Sequence, residues 1–329
     1  MFITPVQDRM KLQTIVPLKS EDEQIDYQSS LLLLGSCFVE NIGEKLKYYQ
    51  FQTLQNPFGI LFHPRAIENL IIRAIEEKVY ADADVFCYNE RWHCFDAHSD
   101  LSDPSKENLL SNLNSALLYT RNQLSKATHT LITLGTAWVY KDVETQKRVA
   151  NCHKLPQKQF TKELLTESEI EESLNSIIST IRKVNVNATV IFTISPVRHL
   201  KDGFVENQRS KANLITAVGK IVESASSNKN LHYFPAYEIM LDELRDYRFY
   251  AEDMVHPNNL AIDYIWEKFK SVWISEMADL VMKEVQEIQK GLDHRPFNKE
   301  SEQHQIFLKS LEEKISHLIK EHPFMNFDI

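Results

Sequence analysis

The chain has 329 residues, 43% of them hydrophobic, and a formal net charge of -9. That length accommodates one large domain or two ordinary ones. No segment has the uninterrupted apolar length of a membrane span, and the acidic balance without a long basic run argues against a nucleic-acid backbone as partner. MFITPVQDRMKLQTIVPLK, at the start, lacks the charged opening, long apolar stretch and small-residue cleavage site of a secretory signal, so a cytoplasmic protein is expected. Cys37, Cys87, Cys94 and Cys152 do not have disulfide-framework spacing.

LLLLG (31–35) is apolar at every position, as a strand buried on both faces must be. The residues after it place Phe38, Ile42, Leu46 and Tyr49 on one helical face. FQTLQNPFG (51–59) reads as a short strand ending in an Asn-Pro-Phe-Gly turn. A helix follows over 65–79, then a hairpin in VFCYNERWHCFDA (85–97), then a helix over 104–123. THTLITLGTAWVY (128–140) is the longest strand candidate, followed by NATVIFTISPV (187–197), stopped by Pro196, and LHYFPAY (231–237). Between the last two, Leu214, Val218, Ile221 and Val222 share one helical face. Strands alternating with helices predict a parallel sheet covered on both faces. One long helix is expected over 258–289, with Asn258 or Asn259 as its N-cap, and an amphipathic helix over 300–320 striped by Leu308, Leu311, Ile315 and Leu318. The expected division is an α/β domain over 1–290 and a helical appendage over 291–329. The last helix either covers the core or pairs with a second copy, making a homodimer.

Two segments carry candidate chemistry. Gly35-Ser36-Cys37 stands at the carboxyl end of a strand and the start of a helix, where ligands bind in open parallel sheets and backbone N–H groups and the helix dipole favour an anion. A thiolate there should have a lowered pKa. The competing account is structural: Ser36 caps the helix and Cys37 packs as a small apolar residue. In AEDMVHPNN, Asp253 and His256 stand three apart ahead of the long helix, and Pro257 keeps His256 out of helical dihedrals. The carboxylate can hold one ring nitrogen and leave the other facing a nucleophile, although such a pair is also a common capping or surface arrangement.

Taken together, GSCF (35–38), NPFGILFHP (56–64), LGTAWVY (134–140), NCHK (151–154) and YRFYAEDMVHP (247–257) resemble the GSCFA family, which is similar to the SGNH, or GDSL-like, hydrolases. The resemblance runs in order from about residue 30 to 300. It implies a three-layer α/β/α sandwich with a central five-stranded parallel sheet, here extended by C-terminal helices. It also implies acyl-ester hydrolysis or acyl transfer, frequently on acetylated sugars. On this resemblance Asp253 and His256 match the terminal D-x-x-H, and Gly59 matches the glycine whose N–H helps hold the oxyanion. The family of SGNH enzymes usually carries Asn in a G-x-N-D turn. This chain has Gly135-Thr136-Ala137-Trp138 instead, leaving Thr136 or Asn151 as substitutes. Laid without gaps on the G-D-S turn, Cys37 falls on the nucleophile and Ser36 on a turn residue; a shift of one restores Ser36 as the nucleophile. Cys37 is favoured.

The expected catalytic set is therefore Cys37 or Ser36 with Asp253 and His256. Asn56, Gly59, Gly135, Thr136, Asn151 and Arg248 form the oxyanion and substrate-binding set, although Arg248 could equally pair with Asp246 or Glu252. His63 and His98 could line the cleft. Cys87, His93, Cys94, Cys152 and His153 are zinc-type ligands at unsuitable spacing, so no metal is expected. No G-x-G-x-x-G or Walker sequence is present, so no cofactor is expected and a flavodoxin-like cofactor binder is disfavoured. The expected partner is a small-molecule or carbohydrate ester, with no nucleic acid and no membrane. The competing class is a catalytically silent binding module for a sugar or acyl ligand.

Overall fold

Leu31, Leu32, Leu33 and Leu34 are all buried, but they belong to two separate cores. The computed structural model describes residues 13–224 and 230–327, so the stretch 1–12, on which the signal-sequence expectation bears, lies outside the described residues. In chain order the elements begin with β1 (Ser30–Gly35), α1 (Cys37–Tyr48), β2 (Gln52–Gln55), α2 (Pro64–Ile75), the hairpin β3 (Val85–Tyr88) and β4 (Arg91–Cys94), and α3 (Lys106–Lys126). They continue with β5 (His129–Leu134), β6 (Trp138–Asp142), β7 (Arg148–Val149), β8 (Phe160–Leu164), α4 (Glu167–Val184), β9 (Thr189–Ile194), α5 (Phe204–Ser224) and β10 (Leu231–Phe234). The short α6 (Ala236–Glu238), then α7 (Asn259–Trp273), α8 (Glu276–Leu292) and α9 (Glu302–Glu321), complete the helices.

Five strands pair in the order β10-β9-β5-β1-β2, every neighbour parallel. Successive side chains on a strand point to opposite faces. Accordingly Leu32, Leu34, Ile132 and Phe192 pack with α2, α3, α4 and α5, whereas Leu31, Leu33, Leu131 and Ile191 pack with α1, α7, α8 and α9. This is the expected three-layer α/β/α sandwich. The chain leaves β1 for β2 on one side and later returns to place β5 on the other. The crevice outside the carboxyl ends of β1 and β5 is therefore the topological switch point, where open parallel sheets bind ligands.

Two expected elements are divided. Residues 128–140 are not one strand: β5 ends at Leu134, and after Gly135-Thr136-Ala137 the chain enters a separate antiparallel sheet, β7-β6-β8. The expected helix over 258–289 is two. Asn258 caps α7, with its Oδ1 accepting from Ala261 N–H, but α7 stops at Trp273. Ile274 is extended and bridges Ile25, and the Ser275 side chain then caps α8. At the C-terminal end, Leu311, Ile315 and Leu318 are buried in the same core as Tyr27 and Leu46, so the stripe of α9 covers its own chain. Among the described residues no helix is long and apolar enough to cross a membrane.

Candidate active site

The end of β1 is fastened from three directions. Gly35 N–H donates to Asn56 Oδ1 (2.9 Å), Ser36 N–H to Thr133 O (3.0 Å), and Leu61 N–H to Gly35 O (3.0 Å). Gly35 has φ +132°, and a Cβ there would drive into the Thr133 carbonyl. Only glycine fits this turn. Ser36 occupies the cap position of α1, yet its side chain makes no capping bond. It is 0% exposed and its Oγ has no partner among the described residues. The purely structural account of Ser36 as a helix cap is therefore replaced by a buried, unused hydroxyl.

Cys37 is the first residue of α1 and only partly buried. Burial and then the Glu40 carboxylate push its thiol up, outweighing Lys211 and the Cys37 and Phe38 backbone N–H groups, which pull it down. The helix terminus acts in the expected direction and loses to desolvation. Cys37 is thus a thiol in need of a base, not the expected low-pKa thiolate.

Gly135 closes the neighbouring strand β5. Its N–H and that of Thr136 both donate to Phe62 O (2.8 and 3.0 Å). The point where a Cβ would sit on Gly135 is 3.0 Å from Ser36 Cβ, 3.1 Å from Phe62 O and 3.2 Å from His199 Nε2. His199, on the loop after β9, thus faces Ser36 across this glycine, and its Nε2 is also buried without a partner among the described residues. Burial, followed by the charge of Lys211, pushes His199 down to about 4; Asp202 opposes, and His256 adds to the lowering. Beneath lies Lys211 of α5, 0% exposed, whose Nζ donates to Gly135 O and Ser195 O at 2.7 Å each.

The late loop is a small self-contained turn. Asp253 Oδ2 accepts from His256 Nδ1 at 2.6 Å, while its Oδ1 accepts the backbone N–H groups of Val255 and His256, both at 2.9 Å. These bonds, the His256 backbone N–H first, hold the Asp253 carboxyl down at about 2. His256 is half-exposed, with Nδ1 committed to Asp253 and Nε2 without a hydrogen bond among the described residues. Arg198 joins this loop to the one after β9, through Nη2 donating to Met254 O (3.5 Å) and its guanidinium over the Tyr250 ring (5.1 Å). The loops bearing His199 and His256 therefore share a rim. Among the described residues no hydrogen bond joins His256 to Cys37 or Ser36, so the relay is not closed in this structure.

A family model described as the GSCFA family matches residues 30–269, and one described as the GSCFA domain protein, C-terminal domain, matches residues 285–328. The chain belongs to the GSCFA family. Among functionally curated proteins none matches this GSCFA chain. Among solved structures, a carbohydrate esterase family 3 protein from Talaromyces cellulolyticus aligns at 11% identity and TM-score 0.28, covering 50% of this chain and 66% of its own. An acetyl xylan esterase from the rumen bacterium Butyrivibrio proteoclasticus aligns at 11% identity and TM-score 0.38, covering 85% of this chain and 66% of its own. Neither likeness is close enough to carry an activity across.

The remaining expected residues of the GSCFA site divide into braces and cleft lining. Gly59 N–H donates to Asn56 O (2.7 Å), closing the NPFG turn, so the expected oxyanion donor is already engaged. Asn56 braces the Gly35 turn: Oδ1 accepts from Gly35 N–H, and Nδ2 donates to Glu40 Oε1 (3.4 Å). Thr136 Oγ1 accepts from Trp138 N–H (3.0 Å) and pairs with Ser210 Oγ (3.0 Å), a turn-closing role in place of the expected donor role. Asn151 Oδ1 accepts from His153 N–H (2.8 Å), and among the described residues its amide NH₂ donates no hydrogen bond; it lines a cleft of about 600 Å³. That cleft is also lined by Phe62, Trp138, Tyr140, Phe160 and His199. Arg248 takes the alternative foreseen for it, an exposed ion pair with Asp246 (3.1 Å). His63 does touch the cleft, but its Nδ1 caps α2 and its Nε2 meets Val149 O (3.1 Å). His98 pairs with Asp100 (3.1 Å). Among the described residues no three His, Cys, Asp or Glu side chains are placed to hold a metal ion. Sequence reasoning missed His199 and Lys211. For Lys211 a signal existed: it precedes Leu214 and Val218 on the same apolar stripe, an unusual place for a charge.

Proposed function

We propose that this GSCFA chain is an acyl-transfer enzyme, an esterase or acyltransferase working through a covalent thioester on Cys37. Asp253 orients His256, and His256 Nε2 removes the proton from the Cys37 thiol. The sulfur attacks the ester carbonyl carbon, the carbon–oxygen bond to the leaving alcohol breaks, and that alcohol takes the proton back from His256. Water or a second hydroxyl then attacks the thioester, again deprotonated by His256, releasing acid or a new ester and the free thiol.

The observation that supports this reading is the preformed Asp253–His256 pair, at 2.6 Å, on a loop tied through Arg198 to the one bearing His199, which in turn faces Ser36 across Gly135. Cys37 is preferred to Ser36 because a nucleophile must reach its substrate, and Ser36 is fully enclosed. With the Gly59 and Thr136 amides engaged, the oxyanion falls to the first N–H groups of α1 and to Asn151. The gap between His256 and Cys37 closes on substrate, as catalytic hydrogen bonds commonly do. The aromatic cleft beside Asn151 fits the alcohol or sugar part of a small or carbohydrate ester.

The test is hydrolysis of p-nitrophenyl acetate by the wild type and by Cys37→Ala, Ser36→Ala and His256→Ala. Loss in the first and third with retention in the second is expected; retention in Cys37→Ala removes the mechanism. A second reading, a silent binding module, draws on the raised thiol, the engaged amides and the open relay. Absence of turnover, with no labelling of Cys37 by an electrophilic ester probe, selects it.

A further inference from the structure

Of the motif Asn151-Cys152-His153-Lys154, the proposed function uses only Asn151. The turn that the motif forms is held more firmly than that one residue requires. His153 and Lys154 both have left-handed backbones, φ +48° and +59°. Residues other than glycine adopt that conformation only where neighbouring contacts over-determine it. Here His153 N–H donates to Asn151 Oδ1 (2.8 Å), His153 Nε2 pairs with Cys94 O (2.7 Å), and Leu155 N–H donates to Cys152 O (2.9 Å). The turn so held brings Lys154 to the wall of the cleft of about 600 Å³. Lys201, from the loop after β9, lines the same cleft. Among the described residues neither lysine has an ion pair. Asp202 is the one carboxylate among the described lining residues, and it is already matched: Lys162 of β8 donates to it, with Nζ over the Trp138 and Tyr140 rings at 4.8 and 5.6 Å. Glu206, the next acid along the chain, lies back against Gly203 and does not line the cleft. The lining His63 and His199 are kept neutral by burial, and burial keeps Cys152 a thiol. The charges of Lys154 and Lys201 are therefore left unmatched, in a chain whose formal net charge is -9. A cleft with apolar walls and charge of one sign focuses its field on an incoming counter-ion.

We propose that Lys154 and Lys201 form an anion subsite in this cleft, and that the substrate is an ester whose alcohol part carries a phosphate or carboxylate group. That the ligand is an ester rests on the proposed function. The subsite stands on the placement of the two lysines, which reach one cleft from separate segments, the turn after β7 and the loop after β9. The body of the ligand lies along Trp138, Tyr140 and Phe160, and its charged group meets the two ammonium groups, which act as point charges on either kind of anion.

The experiment is calorimetric titration of the full chain, at low ionic strength, with three probes of similar size: phenyl phosphate, phenylacetate and benzyl alcohol. Binding is read without turnover, so the subsite can fail while the esterase reading stands, and stand while that reading fails. At least one anion is expected to bind about tenfold tighter than benzyl alcohol, an advantage that shrinks with added salt. Which anion gains it tells phosphate from carboxylate. Lys154→Gln and Lys201→Gln should each weaken the tighter anion about threefold. Together they should bring it to the level of benzyl alcohol, whose own binding they leave unchanged. Both side chains are exposed, and thermal melts verify that the variants fold. Anions that bind no tighter than benzyl alcohol, or not at all, overturn the proposal, as does an anion preference that survives in the double variant.

Discussion

The two halves of the proposed relay are built in opposite ways. The Gly35 turn is held by residues far away in the chain: Thr133 on the adjacent strand, Asn56 after β2 and Leu61 beyond it. The Asp253–His256 turn is held almost wholly by itself, through bonds spanning two, three and five residues, and stands half in solvent. Nucleophile geometry is thus a property of the whole core, and base geometry a property of one short loop. Damage to the first should register as lost stability, and damage to the second as lost turnover alone.

The largest expected effect is Gly35→Ala. The positive φ and the collision with the Thr133 carbonyl leave no room for a methyl group, and a loss above roughly 4 kcal/mol in urea unfolding is expected, near the whole stability of many domains. His256→Ala is the mirror experiment: ester hydrolysis should fall by roughly 10²–10⁴-fold, with unfolding free energy within about 0.5 kcal/mol of wild type. A His256→Ala chain that melts early would place the loop within the cooperative core. Asn56→Ala, which strips the acceptor from Gly35 N–H, should cost about 1–3 kcal/mol and leave the Asp253–His256 turn untouched. The smallest effect is on pH. His63, buried and pushed down to about 4, stays neutral in the fold while its unfolded counterpart takes up a proton near 6.5. Its contribution is therefore complete above about pH 6.5 and is lost as pH falls toward 4. Thermal melts from pH 7 to 4.5 should show a declining Tm, and a shallower decline in His63→Asn, since Asn also caps helices. Asp253, held at about 2, remains a carboxylate throughout that window, so the decline belongs to the core and not to the loop.

Those same differences governed what could be read from sequence. Buried strands such as LLLL and TVIF declare themselves by composition, and both candidate loops by a glycine or a proline at a strand end. The division at Gly135 was illegible because TAWVY continues an apolar run; only the partner strands β7 and β8 pull it from the parallel sheet. The break at Ile274 was hidden likewise, since α7 and α8 share one apolar stripe and the interruption comes from a bridge to Ile25, 249 positions away by number. The helix α4 does have a legible start, since Thr166 and Glu169 form a capping box that the sequence displays. Gly59 and Thr136 had suitable chemistry for oxyanion donors; Gly59 is engaged within its own turn by Asn56 O, a bond the NPFG spacing allows, whereas Thr136 is engaged by the distant Phe62 O and Ser210, which no spacing rule reveals.

The departure of the chain from the parallel sheet at Gly135 has a consequence for how substrate preference can change. Trp138, Tyr140, Val149 and Phe160, which wall the cleft, all sit on the small antiparallel sheet, while the thiol and its braces stand at the carboxyl end of the large one. The turn joining β6 to β7, residues 143–147, is exposed throughout. Substitutions at Trp138, Tyr140 or Phe160 are expected to alter what the wall admits while leaving the five strands beneath in place. On the proposed function, selectivity and reactivity would therefore lie on separate sheets, each adjustable by mutation while the other is held fixed.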